Sequence, residues 1–219
     1  MTLADLIDAF RDESFDNNRV KYFWSNATLT RFANEAENEA CRRGSLLVSS
    51  SGPTCTYGVS AGQDVVLLDR SVLKIRRARM ESGGDMLASV TAAQMDLSAQ
   101  SWELETGTPI ALVTDYQSGA VRLYPVPTSD DTLKMTVSRL PLRQMEADDD
   151  EPEIRAEAHP ALVQWMLYRA YSRQDAETFD PKKASRALLE FEREFGGKAS
   201  MRNEQWVRDS HAVGADPIA

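Results

Sequence analysis

Cysteine and histidine are scarce in this 219-residue chain, which holds two of each: Cys41 and Cys55, His159 and His211. Two cysteines so far apart form neither a disulfide framework nor a metal-ligand set, and that usage points to an intracellular, reducing origin. Long apolar runs are missing as well. Nothing approaches the ~18 consecutive apolar residues of a membrane span. The opening MTLADLIDAFRDES lacks the basic stretch and apolar run of a secretory leader, so a soluble cytoplasmic product is expected. Without a secretory route the Asn26-Ala27-Thr28 sequon carries no weight. Positive charge is short: 25 Lys and Arg face 34 Asp and Glu, for a net charge of −9 and a pI near 4.8. That balance excludes a protein that grips nucleic acid by neutralising phosphates.

The frames of common reaction chemistry are absent too. No G-x-S-x-G occurs, no cysteine lies near a histidine, and Ser49 to Ser51 have no identifiable base beside them. Gly83-Gly84 and Gly196-Gly197 are isolated pairs outside any phosphate-binding frame. With 34 acidic residues, any two carboxylates could be named as a glycosidase pair, so the proposal has no specificity.

What is present is an ordinary folded composition, 42% apolar and 27% charged. Leu3, Leu6, Ile7 and Phe10 recur at helical spacing behind Thr2 as N-cap, with Asp5 three residues on. After a turn around Asp16 to Asn18, Leu29, Phe32, Ala33, Ala36 and Ala40 write a second helix that ends at Gly44. Glu35, Glu37 and Glu39 then fall on its exposed side. The composition next turns to Ser, Gly, Thr and Val, and SSSGPTCTYGVSAGQ reads as loop with short strand pieces. Strands are expected over 65–69 and 71–79, and a short helix over 91–103. A hairpin is expected from 110–116 and 120–125. TLKMTVSRLP alternates, Leu133, Met135 and Val137 pointing one way, which predicts a half-buried antiparallel strand. Two closing helices carry Val163, Met166, Leu167 and Ala170, then Ala184, Ala187, Leu188, Phe191 and Phe195.

Helices, consecutive strands, then helices predict an α+β fold. Its expected parts are a helical bundle from 1–48 and 154–197, a central antiparallel sheet or sandwich over 49–153, and an extended C-terminal tail, 198–219. His159 precedes Pro160, which suits the first position of a helix, so His159 reads as the N-cap or the residue immediately before it and not as a catalytic group. The acidic run Glu146 to Glu153, with Asp148, Asp149 and Asp150 contiguous, lacks the alternate spacing of a calcium loop; it reads as a solvated, self-repelling linker. KIRRARM is the one basic stretch. On a regular strand Lys74 and Arg76 face one side, Arg77 and Arg79 the other, so the charge is split and forms no single groove. Contact with an acidic neighbour, including the acidic linker of another copy, is the expected use of these residues. Trp165, Tyr168, Tyr171, Phe179, Phe191 and Phe195 read as core, and Trp24 and Trp102 as anchors of the helical and β segments. Trp206 has nothing local to bury against and reads as a docking anchor, flanked by Arg202 and Arg208.

The order of these segments resembles the head-to-tail connector or adaptor proteins of tailed bacteriophages, including the tail-tubular type of short-tailed phages. The residues that carry the likeness are WSNATLTRFANEAENEACRRG, the W-x₅-TP of Trp102 to Pro109, LYPVPTSDDTLKMTVSRLP, HPALVQWMLYRAYSRQD and FEREFGG. With the N-terminal helix pair included, the resemblance covers Leu3 to Gly197. The resemblance implies a virion protein forming a homo-oligomeric ring, typically of twelve copies, beneath the portal protein. Such a ring contacts a tail or nozzle protein and passes DNA through its lumen without sequence-specific binding. It also implies portal docking by the C-terminal tail, no membrane, no cofactor and no metal. Two other classes stay open on the residues alone: a virion-associated hydrolase on an adaptor scaffold, and a non-viral helical docking module.

Overall fold

The computed structural model describes residues 1–18, 21–98, 100–174 and 178–197. It is an α+β chain of two compact units, one built from Met1–Leu47 together with 140–197, the other from Val48–Arg139.

The helical unit holds α1 (Leu3–Ser14), α2 (Asn26–Gly44), α4 (His159–Tyr171) and α5 (Pro181–Phe195). Helix α1 begins at the expected capping box: Thr2 Oγ1 accepts from Asp5 N, and Asp5 Oδ2 accepts from Thr2 N. Helix α2 is capped by Ser25, and α5 by Asp180 with Pro181 at its first position. The apolar stripes read from the sequence converge on one core, in which Leu6, Phe10, Leu29, Phe32, Leu162, Met166 and Phe191 are fully buried. Ala33, Ala36 and Ala40 of α2 are buried, and this helix packs chiefly on α4. Trp24 stands edge-on between Phe10 and Tyr171, at 5.3 and 5.9 Å. Phe179 departs from the expected core set and is exposed.

Two differences concern helix α2. The helix ends at Gly44 as expected, but the left-handed residue is Ser45, φ 49°, which follows it. Gly44 answers a close approach instead, since a Cβ there would lie 2.6 Å from Leu46 Cδ2. Glu37 and Glu39, expected on the solvated side, are 2% and 8% exposed. Glu39 is paired with Arg42 and Arg43 on the same helix, while Glu37 Oε1 accepts the backbone N–H groups of Glu153 and Ile154. Periodicity could not separate these acids from exposed ones, because their partners lie on other turns or far along the chain.

The loop from α1 to α2 folds around a buried ion pair. Arg11, 5% exposed, donates to Asp16, 1% exposed, at 2.8 Å, and also to Trp24 O and Asn26 Oδ1. Asp16 accepts in addition from Phe23 N and Trp24 N. Each member of the pair is thereby hydrogen-bonded to further backbone or side-chain groups as well as to its partner, which is what a desolvated charge pair requires.

The second unit begins with β1 (Leu47–Ser49) and β2 (Thr56–Val59), followed by β3 (Val65–Leu67), β4 (Val72–Met80) and β5 (Ala88–Val90). Helix α3 (Ala92–Ser98) and a 3-10 turn at Trp102–Leu104 come next, then β6 (Thr106–Gly107), β7 (Ala111–Val113), β8 (Ala120–Tyr124), β9 (Val126–Pro127) and β10 (Asp131–Arg139). One four-stranded sheet gathers β1, β2 and β4 on β10, and a second runs β3-β8-β7-β5. The expected hairpin is β7 and β8, paired antiparallel. Val66, Leu112, Val121 and Leu123 from the second sheet share a core with Ala78, Met80, Leu133, Met135 and Val137 from the first. The alternation along β10 therefore marks the inner face of a sandwich. The strands are not all antiparallel: β5 pairs β7, and β6 pairs β9, in parallel. Both are two- or three-residue pairings after long crossovers, too short to leave a period in the sequence.

Replacing Asp16 by Ala leaves the Arg11 guanidinium buried without its anion and lowers stability by about 3–5 kcal/mol, read as a fall in the urea midpoint. Asp8→Ala on the exposed side of α1 changes it by about 0.5 kcal/mol or less. Equal midpoints for the two variants refute a structural role for the pair.

Candidate functional site

The basic residues of β4 end up on one face, contrary to the expected split. In register with β10, Arg79 lies opposite Lys134 and Arg77 opposite Thr136. The next pairs are Ile75 with Val137 and Lys74 with Ser138, so one extra residue, Arg76, is accommodated on β4. Residues directly opposite in an antiparallel ladder share a face. Lys134, Thr136 and Ser138 alternate with the inward Leu133, Met135 and Val137, so Lys74, Arg77 and Arg79 all lie on the outer face with them. The bulge residue reaches the same side: Arg76 Nε donates to Ser138 Oγ at 2.8 Å, and Arg77 Nε to Thr136 Oγ1 at 3.0 Å. A regular strand would have put Lys74 opposite in sense to Arg77. No glycine or other local signal marks the bulge in KIRRARM, so the sequence could not disclose it.

This face carries an open hollow of about 330 Å³ lined by Ser50, Arg77, Ala78, Arg79, Met86, Lys134, Met135 and Thr136. Lys134 is the fifth cation of the face and is ion-paired with Glu81. Partial burial, with the neighbouring Arg76 charge adding to it, holds the Lys74 ammonium below the ordinary lysine range.

The acidic run belongs to the helical unit, and its backbone is fastened there where a free linker was expected. Leu3 N and Ala4 N, unsatisfied donors of the first turn of α1, donate to Asp150 O and Asp148 O at 2.7 and 3.0 Å. Asn34 exchanges two hydrogen bonds with the backbone of Met145. Asp148, Asp149 and Glu151 point into solvent. Asp150 differs: its Oδ2 accepts from Glu146 N and Ala147 N, both at 2.7 Å, and these bonds hold its carboxyl below the ordinary value of 3.8. The three aspartates are thus not equivalent, since Asp150 closes a turn that displays the other two.

His159 does not cap α4. Its ring is 2% exposed, and Ala158 occupies the cap position without a side-chain bond. Nε2 contacts Ile154 O at 2.9 Å and Nδ1 the Met1 ammonium at 3.0 Å. A carbonyl can only accept and an ammonium only donate, so Nε2 carries the hydrogen. The ring is a fully engaged bridge from the acidic strap to the chain start. Among the described residues no group of three or more His, Cys, Asp or Glu is placed to hold a metal ion, and no helix is long and apolar enough to cross a membrane. Trp206, Arg202, Arg208 and His211 lie outside the described residues.

A bulged basic sheet face and a fastened acidic strap are the two charged surfaces that stand out among the described residues. The family model of the SU10 adaptor protein matches residues 1–214. The chain belongs to the SU10 adaptor protein family. The resemblance read from the segment order therefore holds along nearly the whole adaptor, and the protein is a phage structural adaptor. No curated protein matches it.

Because the folded carboxyl of Asp150 is held low, its hold on the turn is complete above 3.8 and is lost as pH falls through the lower folded value. The amide signals of Glu146 and Ala147 are expected to titrate with a midpoint below 3.8, and Asp150→Ala abolishes that transition. A midpoint at or above the ordinary value counts against the turn.

Proposed function

We propose that this adaptor is a subunit of a ring, of about twelve copies by resemblance, that sits beneath the portal in the virion neck. There it joins the portal to the next tail protein and lets DNA pass through its lumen. The observation that carries this reading is the family match over residues 1–214. The chemistry of the chain supports it. A net charge of −9 repels a phosphate backbone, so a genome sliding past such a subunit is not held by it. The buried histidine bridge and the hydroxyl-held arginines are arrangements of binding and packing, and the reading includes no enzymatic step. The host cytoplasm is the expected place of synthesis.

Within this reading the C-terminal stretch 198–219, with Trp206 as apolar anchor and Arg202 and Arg208 beside it, attaches to the portal. An aromatic side chain entering a pocket, with flanking cations, is the usual composition of an interface hot spot.

Purified adaptor mixed with its portal protein is expected to form a closed ring complex, visible by native mass measurement and electron microscopy. Persistent monomer with no portal binding refutes the proposal. Removing 198–219, or changing Trp206→Ala, is expected to weaken portal binding at least tenfold, which is about 1.4 kcal/mol, with an unchanged unfolding midpoint. Undiminished binding by the truncated chain removes the docking role. Clearing of cell-wall material by the purified chain, lost on one carboxylate substitution, would establish the hydrolase reading instead.

A further inference from the structure

We propose that the outer face of β4 and β10 is a socket for the acidic strap of a second copy of this chain, with Lys74, Arg76, Arg77 and Arg79 receiving Asp148, Asp149 and Glu151 of that copy. The inference rests on the ring-subunit reading and names the contact that closes the ring.

The first argument is an imbalance of charge. In a chain with nine acidic residues in excess, none of the ion pairs among the described residues involves Lys74, Arg76, Arg77 or Arg79. Arg76 and Arg77 are aimed by the neutral hydroxyls of Ser138 and Thr136. Each of these bonds uses a single N–H, at Nε, of the five in a guanidinium fork and leaves the forked Nη groups for an incoming anion. Lysine and arginines crowd one another on this face, and an external carboxylate relieves the repulsion.

The second argument is shape. The face is hollowed, about 330 Å³, with space for carboxylate side chains to enter between the arginines. The third is preorganisation of the occupant. The strap is anchored through Leu3 N, Ala4 N and the Asp150 turn, while Asp148, Asp149 and Glu151 remain exposed. A ligand already held in one conformation loses little entropy on binding. Every copy carries one socket and one strap, as a head-to-tail contact that closes by rotation requires. A nucleic-acid backbone is the less favoured occupant because it would have to approach a strongly acidic chain, whereas the strap is matched to the face in sign.

The test uses two variants of the full chain with portal protein present. In one, Lys74→Glu, Arg77→Glu and Arg79→Glu make the socket acidic; in the other, Asp148→Lys, Asp149→Lys and Glu151→Lys make the strap basic. Each variant alone is expected to yield at least tenfold less ring by native mass measurement, with an unfolding midpoint close to that of the parent. Mixed in equal amounts, they are expected to restore rings of alternating subunits, because each then finds its opposite charge. Unimpaired assembly of the acidic-socket variant overturns the inference, and so does a mixture that stays unassembled while both variants remain folded. Loss of duplex DNA binding by that variant with assembly intact assigns the face to nucleic acid and likewise overturns it. If the parent chain itself forms no ring with portal, the ring-subunit reading falls first; a parent ring unaffected by the substitutions sinks this inference alone.

Discussion

The polar backbone of the segment returning from the β unit must find hydrogen-bond partners, and the helical unit is built around supplying them. Leu140 to Ile154 have almost no regular structure, so their N–H and C=O groups cannot satisfy one another in a ladder or helix. The first-turn amides of α1 donate to Asp148 and Asp150, Asn34 clasps Met145, Glu37 receives Glu153 and Ile154, and His159 takes Ile154 O. Helix starts normally leave their amides to side-chain caps or water. Here a distant stretch of chain takes that role for α1, which fastens the first helix and the segment leading into α4 to one another.

The same accounting explains the polar residues that are buried in the bundle. Arg11 and Asp16 hold the loop before α2 by bonding to each other and to the backbone around Trp24. Arg43 lies over the rings of Trp165 and Phe191 while paired with Glu39 and Glu192, so a cation contributes to packing the α2, α4 and α5 contact. These groups set which helix faces meet. The apolar stripes alone would tolerate some rotation, but a buried charge without its partner costs several kcal/mol.

The proposed contact between copies rests on two surfaces shaped by such internal constraints. On the strap, Asp150 turns its carboxylate inward to the backbone and presents Asp148 and Asp149. On the sheet, the bulge at Arg76 aligns cations that a regular strand would divide. In both places one local irregularity determines which charges are available to a partner.

The sequence by itself determined the element types of the long segments, the inner face of β10, the capping box at Thr2 and the family resemblance. These depend on periods of two or 3.6 residues, on a cap within four residues, or on the order of segments along the chain. Only the tertiary structure decided the face of Lys74, the burial of Glu37, the role of His159 and the anchoring of the acidic run. In each case the deciding atom belongs to a residue remote in sequence or to a ladder register: Thr136 opposite Arg77, Glu153 against Glu37, Met1 against His159, Leu3 against Asp150. A bulge changes the phase of a strand without changing its composition, and a hydrogen bond across a hundred residues leaves no local period to read.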